Sequence, residues 1–427
     1  RLESLKQTEW SSYDNFEKLQ IAKLQEVLKK TSTGSVYYRK LFANTGFHPD
    51  ALSSLNALRQ LPILEKETLH NHIDEIISLQ VERKRLISGH TSGTTGTAIP
   101  LVYTQEALAN EYAVVWRMRN RVGVELGMLN ATFGGRLVVP VKQKNPPFWR
   151  INKPGKQVLF SLYHMTNENM KYYVEALQEY DFEYWQGYPS SIYLVAVYLD
   201  ENGIKLRKPP RAIFTSSESL LAYQRELIEK AVGAPIYDRY GNSEFCASMV
   251  QCEAGNYHVD MEFGLIEVEK IEETDETYTG HLICTGFWNE ALPLIRYRVG
   301  DVATFMKKPC PCGRESTPVK EIDGRIEDYV VTPDGKRIGR MDHVFKDMVN
   351  IKESQILQDE VSSITVKIVR RSEYTASDEK RLLREFRSRL GDEIEMHLDY
   401  VDEIPRLENG KFRAVISSIP QSKICSP

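Results

Sequence analysis

The chain has 427 residues, of which 41% are hydrophobic and 27% charged, and its formal net charge at pH 7 is −4. A single hydrophobic core seldom supports a chain of this length, so we expect a large domain and a smaller one. This mildly acidic balance excludes the basic surface of a nucleic-acid-binding protein, and the longest apolar stretches, such as residues 192–199, are too short to cross a bilayer.

The first predicted element is an amphipathic helix. Phe16, Leu19, Leu24, Val27 and Leu28 form an apolar stripe between charged positions, which is the pattern of a helix packed on a core. The residues before it lack the basic and then apolar order of a signal peptide. We therefore expect a cytoplasmic protein without membrane insertion.

A short run rich in serine, threonine and glycine comes next. Its two glycines let the backbone bend around an anion, and its hydroxyl groups can donate hydrogen bonds to phosphate. No lysine follows it as in a Walker loop, which disfavours a P-loop NTPase. By itself such a run is more often a polar turn, so its meaning depends on the motifs that follow. The run comprises Thr91, Ser92, Gly93, Thr94, Thr95, Gly96 and Thr97.

The middle of the chain alternates between predicted helices and predicted strands. The pattern predicts a helix over residues 191–199, a strand over 212–214, a helix over 220–232 that Gly233 closes, and a new strand at Ile236. Strand, helix and strand at this spacing indicate a parallel α/β arrangement.

The pattern changes after about residue 324. Alternating apolar residues over 364–368 predict a strand, Ser377 begins a helix that reaches residue 390, and residues 396–400 fit another strand. We place a domain boundary near Asp323-Gly324-Arg325, because the glycine gives the backbone freedom to pivot. The predicted fold is α/β: a large N-terminal domain, residues 1–323, with parallel sheet layers, and a small mobile α+β domain, residues 324–427.

Five further motifs follow the serine and threonine run along the chain. They are Ser216-Ser217-Glu218, Tyr240-Gly241-Asn242-Ser243-Glu244, Arg296-Tyr297-Arg298-Val299-Gly300-Asp301, Gly324-Arg325-Ile326-Glu327-Asp328 and Asn409-Gly410-Lys411. In this order, together with the run, they resemble the adenylate-forming, or AMP-binding, superfamily. The resemblance is greatest to its phenylacetate–coenzyme A ligase branch and to the relatives of that branch found with capsule-polysaccharide biosynthesis genes, and it covers nearly the whole chain.

This resemblance implies a site for ATP and AMP. Tyr240 would stack on the adenine beside Gly241, and Asp301 would accept hydrogen bonds from the ribose hydroxyls. Ser243 would hold the α-phosphate and Glu244 would bind Mg²⁺. The other implied nucleotide-binding residues are Thr91, Ser92, Gly93, Thr94, Thr95, Gly96, Ser216, Ser217, Glu218 and Asn242.

The resemblance also assigns roles at and beyond the hinge. Lys411 would neutralise the charge that develops as the substrate carboxylate attacks the α-phosphorus and pyrophosphate leaves. Arg325 would contact the nucleotide, and Glu327 would occupy the pivot. Because the lysine belongs to the small domain, we expect the two domains to close for catalysis and to rotate afterwards. Taken singly each of these residues is more often structural, but the ordered set indicates an enzyme.

Four residues suggest a metal site. Cys252, His258, Cys310 and Cys312 supply three thiolates and an imidazole, a set that structural zinc accepts. The alternative is four unrelated residues. Cys246, Cys284 and Cys425 are interpreted as ordinary thiols.

The carboxylic acid should bind beyond the carboxyl ends of the parallel strands. Aromatic residues interleaved with glycines fit a flat or medium-sized acid, and they fit core packing equally well. The predicted wall consists of Phe133, Gly134, Tyr163, His164, Trp185, Gly187, Tyr188 and Pro189.

Two departures from the family pattern leave the second half-reaction open. No lysine stands near Pro100, and residues 329–345 differ from the loop that lines the thiol entrance in coenzyme A ligases of this branch. The first hypothesis is an AMP-forming ligase that makes an acyl-coenzyme A from a small carboxylic acid and ATP. The second is an adenylating transferase that passes the acyl group to an amine or to a sugar hydroxyl in polysaccharide assembly. The third is a silent nucleotide-binding scaffold, and the sequence does not predict the oligomeric state.

Overall fold

The computed structural model describes residues 1–90, 99–325, 330–333, 337–338, 341–345, 350–406 and 412–419, with only the backbone described at 323–325, 337 and 342–343. Four predicted features therefore lie outside the described residues: the serine and threonine run, Glu327, Lys411 and Cys425. The side chain of Arg325 lies outside them as well.

The described residues form nine α-helices, which we number in chain order. They are α1 Leu2–Thr8, α2 Tyr13–Gly34, α3 Val36–Thr45, α4 Lys66–Ile76, α5 Gln105–Asn120, α6 Met170–Glu179, α7 Pro189–Glu201, α8 Ala222–Val232 and α9 Ala376–Leu390.

The strands are numbered in the same way. The first ten are β1 Ile87–His90, β2 Pro100–Tyr103, β3 Asn130–Phe133, β4 Trp149–Asn152, β5 Gln157–Phe160, β6 Tyr184–Gly187, β7 Ala212–Ser216, β8 Ile236–Gly241, β9 Ser248–Gln251 and β10 Tyr257–Val259. The remaining ten are β11 Gly264–Glu273, β12 Thr277–Gly286, β13 Tyr297–Met306, β14 Pro318–Arg325, β15 Val330–Val331, β16 Arg337–Ile338, β17 Ile351–Glu360, β18 Ser363–Arg370, β19 Glu395–Tyr400 and β20 Val415–Ser417.

Local sequence signals explain where the predicted helices begin and end. The side chain of Ser12 accepts a hydrogen bond from the backbone N–H of Asn15 and caps α2, whose buried residues include Phe16, Leu24 and Leu28, which confirms the predicted stripe. Helix α8 ends at Gly233, which has φ = 77°. The prediction that Ser377 begins α9 was wrong by two residues, because Thr375 and Asp378 form the capping box there.

The described residues group into two compact units, each made of two segments. The first unit comprises Arg1–Leu126 and Tyr237–Ile322, and the second comprises Gly127–Ile236 and Asp323–Pro427. The predicted boundary near residue 323 coincides with a point where the chain passes from one unit to the other. The division into residues 1–323 and 324–427 nevertheless stays a prediction, because residues 127–236 and the C-terminal segment share one unit.

The first unit contains antiparallel strands. Its strands lie in the order β11, β12, β13, β14, β10, β9 and β8, and β1 pairs with β2 in a separate hairpin. The core beneath them includes Phe16 and Leu24 of α2 and Tyr297 of β13. The long strand β13 carries Asp301 into this unit.

The second unit contains the predicted parallel strands. Strand β7 pairs with β6, β6 with β3 and β3 with β5, all in parallel register, and β4 closes the edge in antiparallel register. Helices α6, α7 and α8 supply the apolar side chains that cover these strands. The predicted alternation of strand and helix is thus confirmed.

The C-terminal part of the second unit has its own sheet and its own core. Its strands lie in the order β19, β18, β17 and β20, and Leu382, Phe386 and Leu390 of α9 are buried against them. The predicted class, α/β with a smaller C-terminal α+β element, is confirmed. Among the described residues, every helix is too short or too polar to span a bilayer.

Candidate active site and metal centre

Tyr240 and Asp301, which the sequence assigns to adenosine, meet in the first unit. The Tyr240 hydroxyl donates a hydrogen bond to Oδ2 of Asp301 over 2.5 Å. Burial, and then the charge of Asp301, raise the pKa of Tyr240, so the phenol stays protonated as a donor. Since a carboxylate accepts several hydrogen bonds, this contact orients Asp301 without using its full capacity.

The hairpin that flanks the serine and threonine run is tied to the turn after β8. Strands β1 and β2 pair so that His90 lies opposite Pro100, at the two ends of the run. The hydroxyl of Tyr103, the last residue of β2, donates to the carbonyl oxygen of Ser243 over 2.6 Å, and its ring lies 4.6 Å from that of Phe245. The base of the predicted phosphate loop and the residues predicted to hold phosphate and magnesium therefore belong to one hydrogen-bonded assembly.

The turn after β8 is shaped by Asn242. Its side-chain oxygen accepts hydrogen bonds from the backbone N–H groups of Cys246 and Ala247, over 3.1 and 3.3 Å, and Phe245 has φ = 54°. These contacts give Asn242 a structural role in addition to the predicted one. The turn presents Glu244, to which the Tyr297 hydroxyl donates over 3.4 Å.

The absent side chain of Gly241 leaves room for an arginine. A Cβ atom at this position would lie 2.7 Å from Nη2 of Arg239, whose guanidinium pairs with Glu111 at 2.7 Å. The space that the resemblance assigns to adenine is thus bordered by an ion pair.

Ser216, Ser217 and Glu218 lie at the carboxyl end of β7 in the second unit. Ser217 has φ = 73°, a left-handed conformation that sharply turns the chain there. The Glu218 carboxylate accepts hydrogen bonds from the backbone N–H groups of Phe412, over 2.6 Å, and Ser190, over 3.2 Å. Burial raises the pKa of this carboxyl group, and the two donors oppose the rise.

The predicted wall of the acid pocket divides into two sets. Phe133, Trp185, His164 and Pro189 are buried, and the Phe133 ring stacks on Phe160 at 4.9 Å within the core. Gly134, Tyr163, Gly187 and Tyr188 are partly exposed. The second set has the surface that a pocket wall needs, whereas the first set packs behind it, so this wall stays a prediction.

The structure identifies two details of the wall that sequence reasoning missed. Nδ1 of His164 lies 2.8 Å from the hydroxyl of Ser161, and its ring stacks on Phe148 at 4.9 Å. Gly187 has φ = 155°, and a Cβ atom there would lie 2.2 Å from the carbonyl oxygen of Phe133. Only glycine fits where β6 passes so close to β3.

The four predicted metal ligands converge in the first unit. Cys252 follows β9 and His258 lies on β10, the two strands of a hairpin, while Cys310 and Cys312 lie between β13 and β14. Their ligand atoms all lie within 4.8 Å of one another, and three of the four residues are buried. Tertiary pairing brings together residues that are up to 60 positions apart in sequence, since 312 − 252 = 60.

The spacing of these ligand atoms fits a tetrahedral ion. The sulfur atoms of Cys252 and Cys310 lie 3.7 Å apart, far beyond a disulfide bond, and tetrahedral zinc with ordinary Zn–S bonds requires about 3.8 Å. The sulfur of Cys312 lies 3.2 Å from Nε2 of His258. Three sulfur donors and one imidazole are a ligand set typical of structural zinc.

A second layer of contacts orients these ligands. Nδ1 of His258 faces the carbonyl oxygen of Ser316 at 3.0 Å, so Nδ1 carries the proton and Nε2 presents its lone pair to the three sulfurs. Arg314 of the same loop bonds Glu9 and Glu253 at 2.8 Å each and lies over the ring of Trp10. The loop that carries Cys310, Cys312 and Arg314 thereby holds Glu9 and Trp10 near the N-terminus. The sequence did not identify the partners of Arg314.

Comparisons with known proteins bear on the whole chain. The model of the family described as the CapK C-terminal domain matches residues 330–418. Protein CapK of Staphylococcus aureus is 29% identical over 95% of this chain and 90% of its own length. A phenylacetate–coenzyme A ligase of Pseudomonas putida is 24% identical over 96% of this chain and 88% of its own length.

A solved structure has the same fold. The 2-hydroxyisobutyryl-CoA ligase, crystallised in the postadenylation state with an acyl-AMP, superimposes with a TM-score of 0.76 over 98% of this chain and 92% of its own, at 18% identity. The resemblance drawn from the motifs is thereby confirmed, and with it the prediction of an adenylate-forming type of enzyme. The roles of individual residues stay predictions.

Proposed function

We propose that the chain is a member of the adenylate-forming superfamily, related to its phenylacetate–coenzyme A ligase branch, and that it activates a small carboxylic acid with ATP. The carboxylate oxygen attacks the α-phosphorus, the bond from that phosphorus to the bridging oxygen breaks, and pyrophosphate leaves with its electron pair. The product is an acyl-adenylate, a mixed anhydride whose carbonyl carbon is open to a nucleophile.

The observation that carries this proposal is the assembly around β8 in the first unit. Tyr240 bonds Asp301 there, and Tyr103 bonds the turn of Ser243 and Glu244 beside the ends of the serine and threonine run. We assign Asp301 to the ribose, Ser243 to the α-phosphate and the run to the outer phosphates. Glu244 is the proposed ligand of Mg²⁺, which would offset the charge of the phosphates when bound.

The residues beyond the hinge complete the proposal. Lys411 is assigned to the charge that builds on the leaving pyrophosphate, Arg325 to the nucleotide and Glu327 to the pivot. The partly exposed residues Tyr163 and Tyr188 are the preferred candidates for contact with the acid. ATP supply favours a cytoplasmic reaction.

Acyl transfer to coenzyme A is the proposed second step. The coenzyme A thiolate attacks the carbonyl carbon of the adenylate, and AMP leaves as the acyl–oxygen bond breaks. The similarity to coenzyme A ligases over nearly the whole chain supports this acceptor. A second candidate follows from the resemblance to relatives found with capsule-polysaccharide biosynthesis genes: an amine or a sugar hydroxyl of polysaccharide assembly would take the acyl group in place of coenzyme A.

Acid-dependent exchange between ATP and labelled pyrophosphate tests the proposal. A panel of aromatic, hydroxy and short aliphatic acids, including phenylacetate and 2-hydroxyisobutyrate, should contain at least one that supports exchange in the wild-type protein. Lys411→Ala should lower that exchange at least 100-fold while ATP binding persists, because the lysine acts on the transition state. Coenzyme A or an amino sugar is then added to learn which one discharges the adenylate.

The matched control is Lys380→Ala, which removes an exposed lysine of α9. This variant should catalyse acid-dependent pyrophosphate exchange at the wild-type rate. Exchange that persists in Lys411→Ala would refute the role of the lysine, and absence of exchange with every acid would favour the silent scaffold.

We also propose that Cys252, His258, Cys310 and Cys312 bind structural zinc. The 3.7 Å spacing of two sulfurs and the orientation of His258 by Ser316 support it. An ion at this position would link the hairpin of β9 and β10 to the loop of Arg314.

A further inference from the structure

Glu218 contacts two other parts of the second unit at once. It follows the left-handed turn at Ser217, and its two carboxylate oxygens accept different backbone N–H groups. One belongs to Ser190 in the first turn of α7, where the positive end of the helix dipole favours an anion. The other belongs to Phe412, in the last described segment of the chain.

The N–H of Phe412 is part of the peptide group that joins it to Lys411. A peptide group is planar and rigid, so a hydrogen bond to this N–H restrains the backbone next to the lysine. At 2.6 Å the bond is short, as expected for an ionised acceptor. The carboxylate of Glu218 therefore acts on the residue that follows the lysine, through the main chain.

The surrounding contacts hold the same segment from its other side. The Arg406 guanidinium bonds Glu353 of β17 over 2.5 Å and lies 4.7 Å from the centre of the Phe412 ring. The carbonyl oxygen of Arg413 accepts from the side chain of Gln355 over 2.9 Å. These contacts stay within the C-terminal sheet and its flanking segments. Glu218, by contrast, holds the segment from residues 127–236.

We propose that Glu218 is a positioning residue, which holds the backbone next to Lys411 during adenylate formation and releases it before acyl transfer. The inference rests on the proposed function, and it gives Glu218 a role different from the nucleotide contact expected from the sequence. Acyl transfer in this scheme requires the lysine to leave, since the C-terminal domain is expected to rotate between the half-reactions. Breaking the bond between Glu218 and Phe412 is then part of that rotation.

The two half-reactions separate this role from a general loss of structure. Glu218→Ala should lower the maximal rate of acid-dependent pyrophosphate exchange at least tenfold and leave the KM for ATP within twofold. The conversion of a supplied synthetic acyl-adenylate to acyl-coenzyme A should stay at the wild-type rate or rise. Glu218→Gln keeps one acceptor oxygen and should fall between Glu218→Ala and the wild type.

Two matched variants complete the design. Glu226→Gln alters an exposed carboxylate of α8 in the same unit and should behave like the wild type. Tyr193→Phe removes a different bond between the same two segments, from the Tyr193 hydroxyl to the carbonyl oxygen of Lys352. If Tyr193→Phe lowers exchange as much as Glu218→Ala does, the effect is general docking and the proposal is overturned.

Hydrogen–deuterium exchange of the free protein gives a readout that needs no substrate. The amide of Phe412 should exchange at least tenfold faster in Glu218→Ala than in the wild type, with α9 unchanged. The inference would be overturned if the Phe412 amide exchanged hydrogen at the same rate in both proteins. It would also be overturned if Glu218→Ala catalysed pyrophosphate exchange at the wild-type rate. If none of the tested acids supports pyrophosphate exchange in the wild type, the proposed function fails. The amide measurement still decides whether Glu218 holds the segment that contains Phe412.

Discussion

Gly187 illustrates, at the scale of a single residue, why a position in this chain accepts one amino acid. It ends β6 with φ = 155°, next to Phe133 of the parallel strand β3. Any Cβ atom there would lie 2.2 Å from a backbone oxygen, which has no side-chain freedom to move away. A clash of this kind is relieved only by separating the two strands.

Gly187→Ala should therefore lower the free energy of unfolding by about 3 kcal/mol, the upper part of the range for overpacking. Chemical denaturation of the purified protein measures it. Gly203→Ala is the matched control, because Gly203 has a positive φ of 60° but open space around a Cβ, and it should cost only about 1 kcal/mol. Equal losses in the two variants would contradict the close contact as the cause.

At the scale of elements, the residues assigned to ligands lie both on strands and in the connections between strands. Tyr240, His258 and Asp301 lie on β8, β10 and β13, whereas Glu244 and Cys310 lie in a turn and a loop. Contacts from other elements fix these connections, as when the Tyr103 hydroxyl donates to the carbonyl oxygen of Ser243. The strands thus carry part of the candidate site directly and position the turns that carry the rest.

The proposed zinc predicts the behaviour of one such connection. The purified wild-type protein should contain about one zinc per chain, and Cys310→Ser should lose it, because one of the four donors is gone. Its melting temperature should fall, and cleavage near Glu9 and Trp10 by a protease should speed up, since the Arg314 loop holds them. Elemental analysis, thermal unfolding and limited proteolysis measure these effects.

The control for this prediction is Cys284→Ala, which removes a buried thiol outside the cluster. It should keep its zinc even if it loses some stability. A structural ion would be excluded if the metal-free wild type had the same melting temperature and the same rate of proteolysis as a zinc-supplemented sample.

At the scale of the whole molecule, stability depends on joining segments that are distant in sequence. In the first unit, Arg117 of α5 bonds Asp260 at 2.6 Å and Glu262 at 2.7 Å, and all three side chains are buried. It therefore links Arg1–Leu126 with Tyr237–Ile322. Burial is the largest influence and raises the pKa of Glu262, but the charge of Arg117 and the hydrogen bonds from Arg117 and Thr8 together outweigh it, so the net pKa is lowered.

Arg117→Met should lower the free energy of unfolding at pH 7 by about 3–5 kcal/mol, because two buried carboxylates lose their cation. A lowered carboxyl pKa contributes stability above its unfolded value of 4.5 and loses it as the pH falls through the folded value. The difference in stability between variant and wild type should thus be complete at pH 7 and narrow once the pH falls below 4.5. Urea denaturation at pH 7 and at a pH below 4.5 tests this.

The control is Arg207→Met, which breaks an exposed ion pair with Asp181. It should change the stability by no more than about 1 kcal/mol at either pH. A loss in Arg117→Met that does not depend on pH would contradict the assignment to charge.

The sequence by itself determined the element types, since the period of apolar residues and the caps are local properties. It predicted α2, α7, α8 and α9, strands β7 and β8, and strands β18 and β19 of the C-terminal sheet, with small errors at helix ends such as Thr375. It also selected the four residues proposed to bind zinc, whose side chains the structure brings together, because thiols and imidazoles are few and their chemistry is narrow. The motif order was enough to predict the resemblance to adenylate-forming enzymes that the comparisons confirm.

Only the tertiary structure decided which residues meet. Tyr103 and Ser243 are 140 positions apart, and Glu218 and Phe412 are 194 apart, so no local pattern encodes either contact. The structure also separated buried Phe133 and Trp185 from partly exposed Tyr163 and Tyr188, although all four are aromatic residues near glycines. The physical reason is that periodicity is set by neighbours along the chain, whereas partners and burial are set by how distant segments pack.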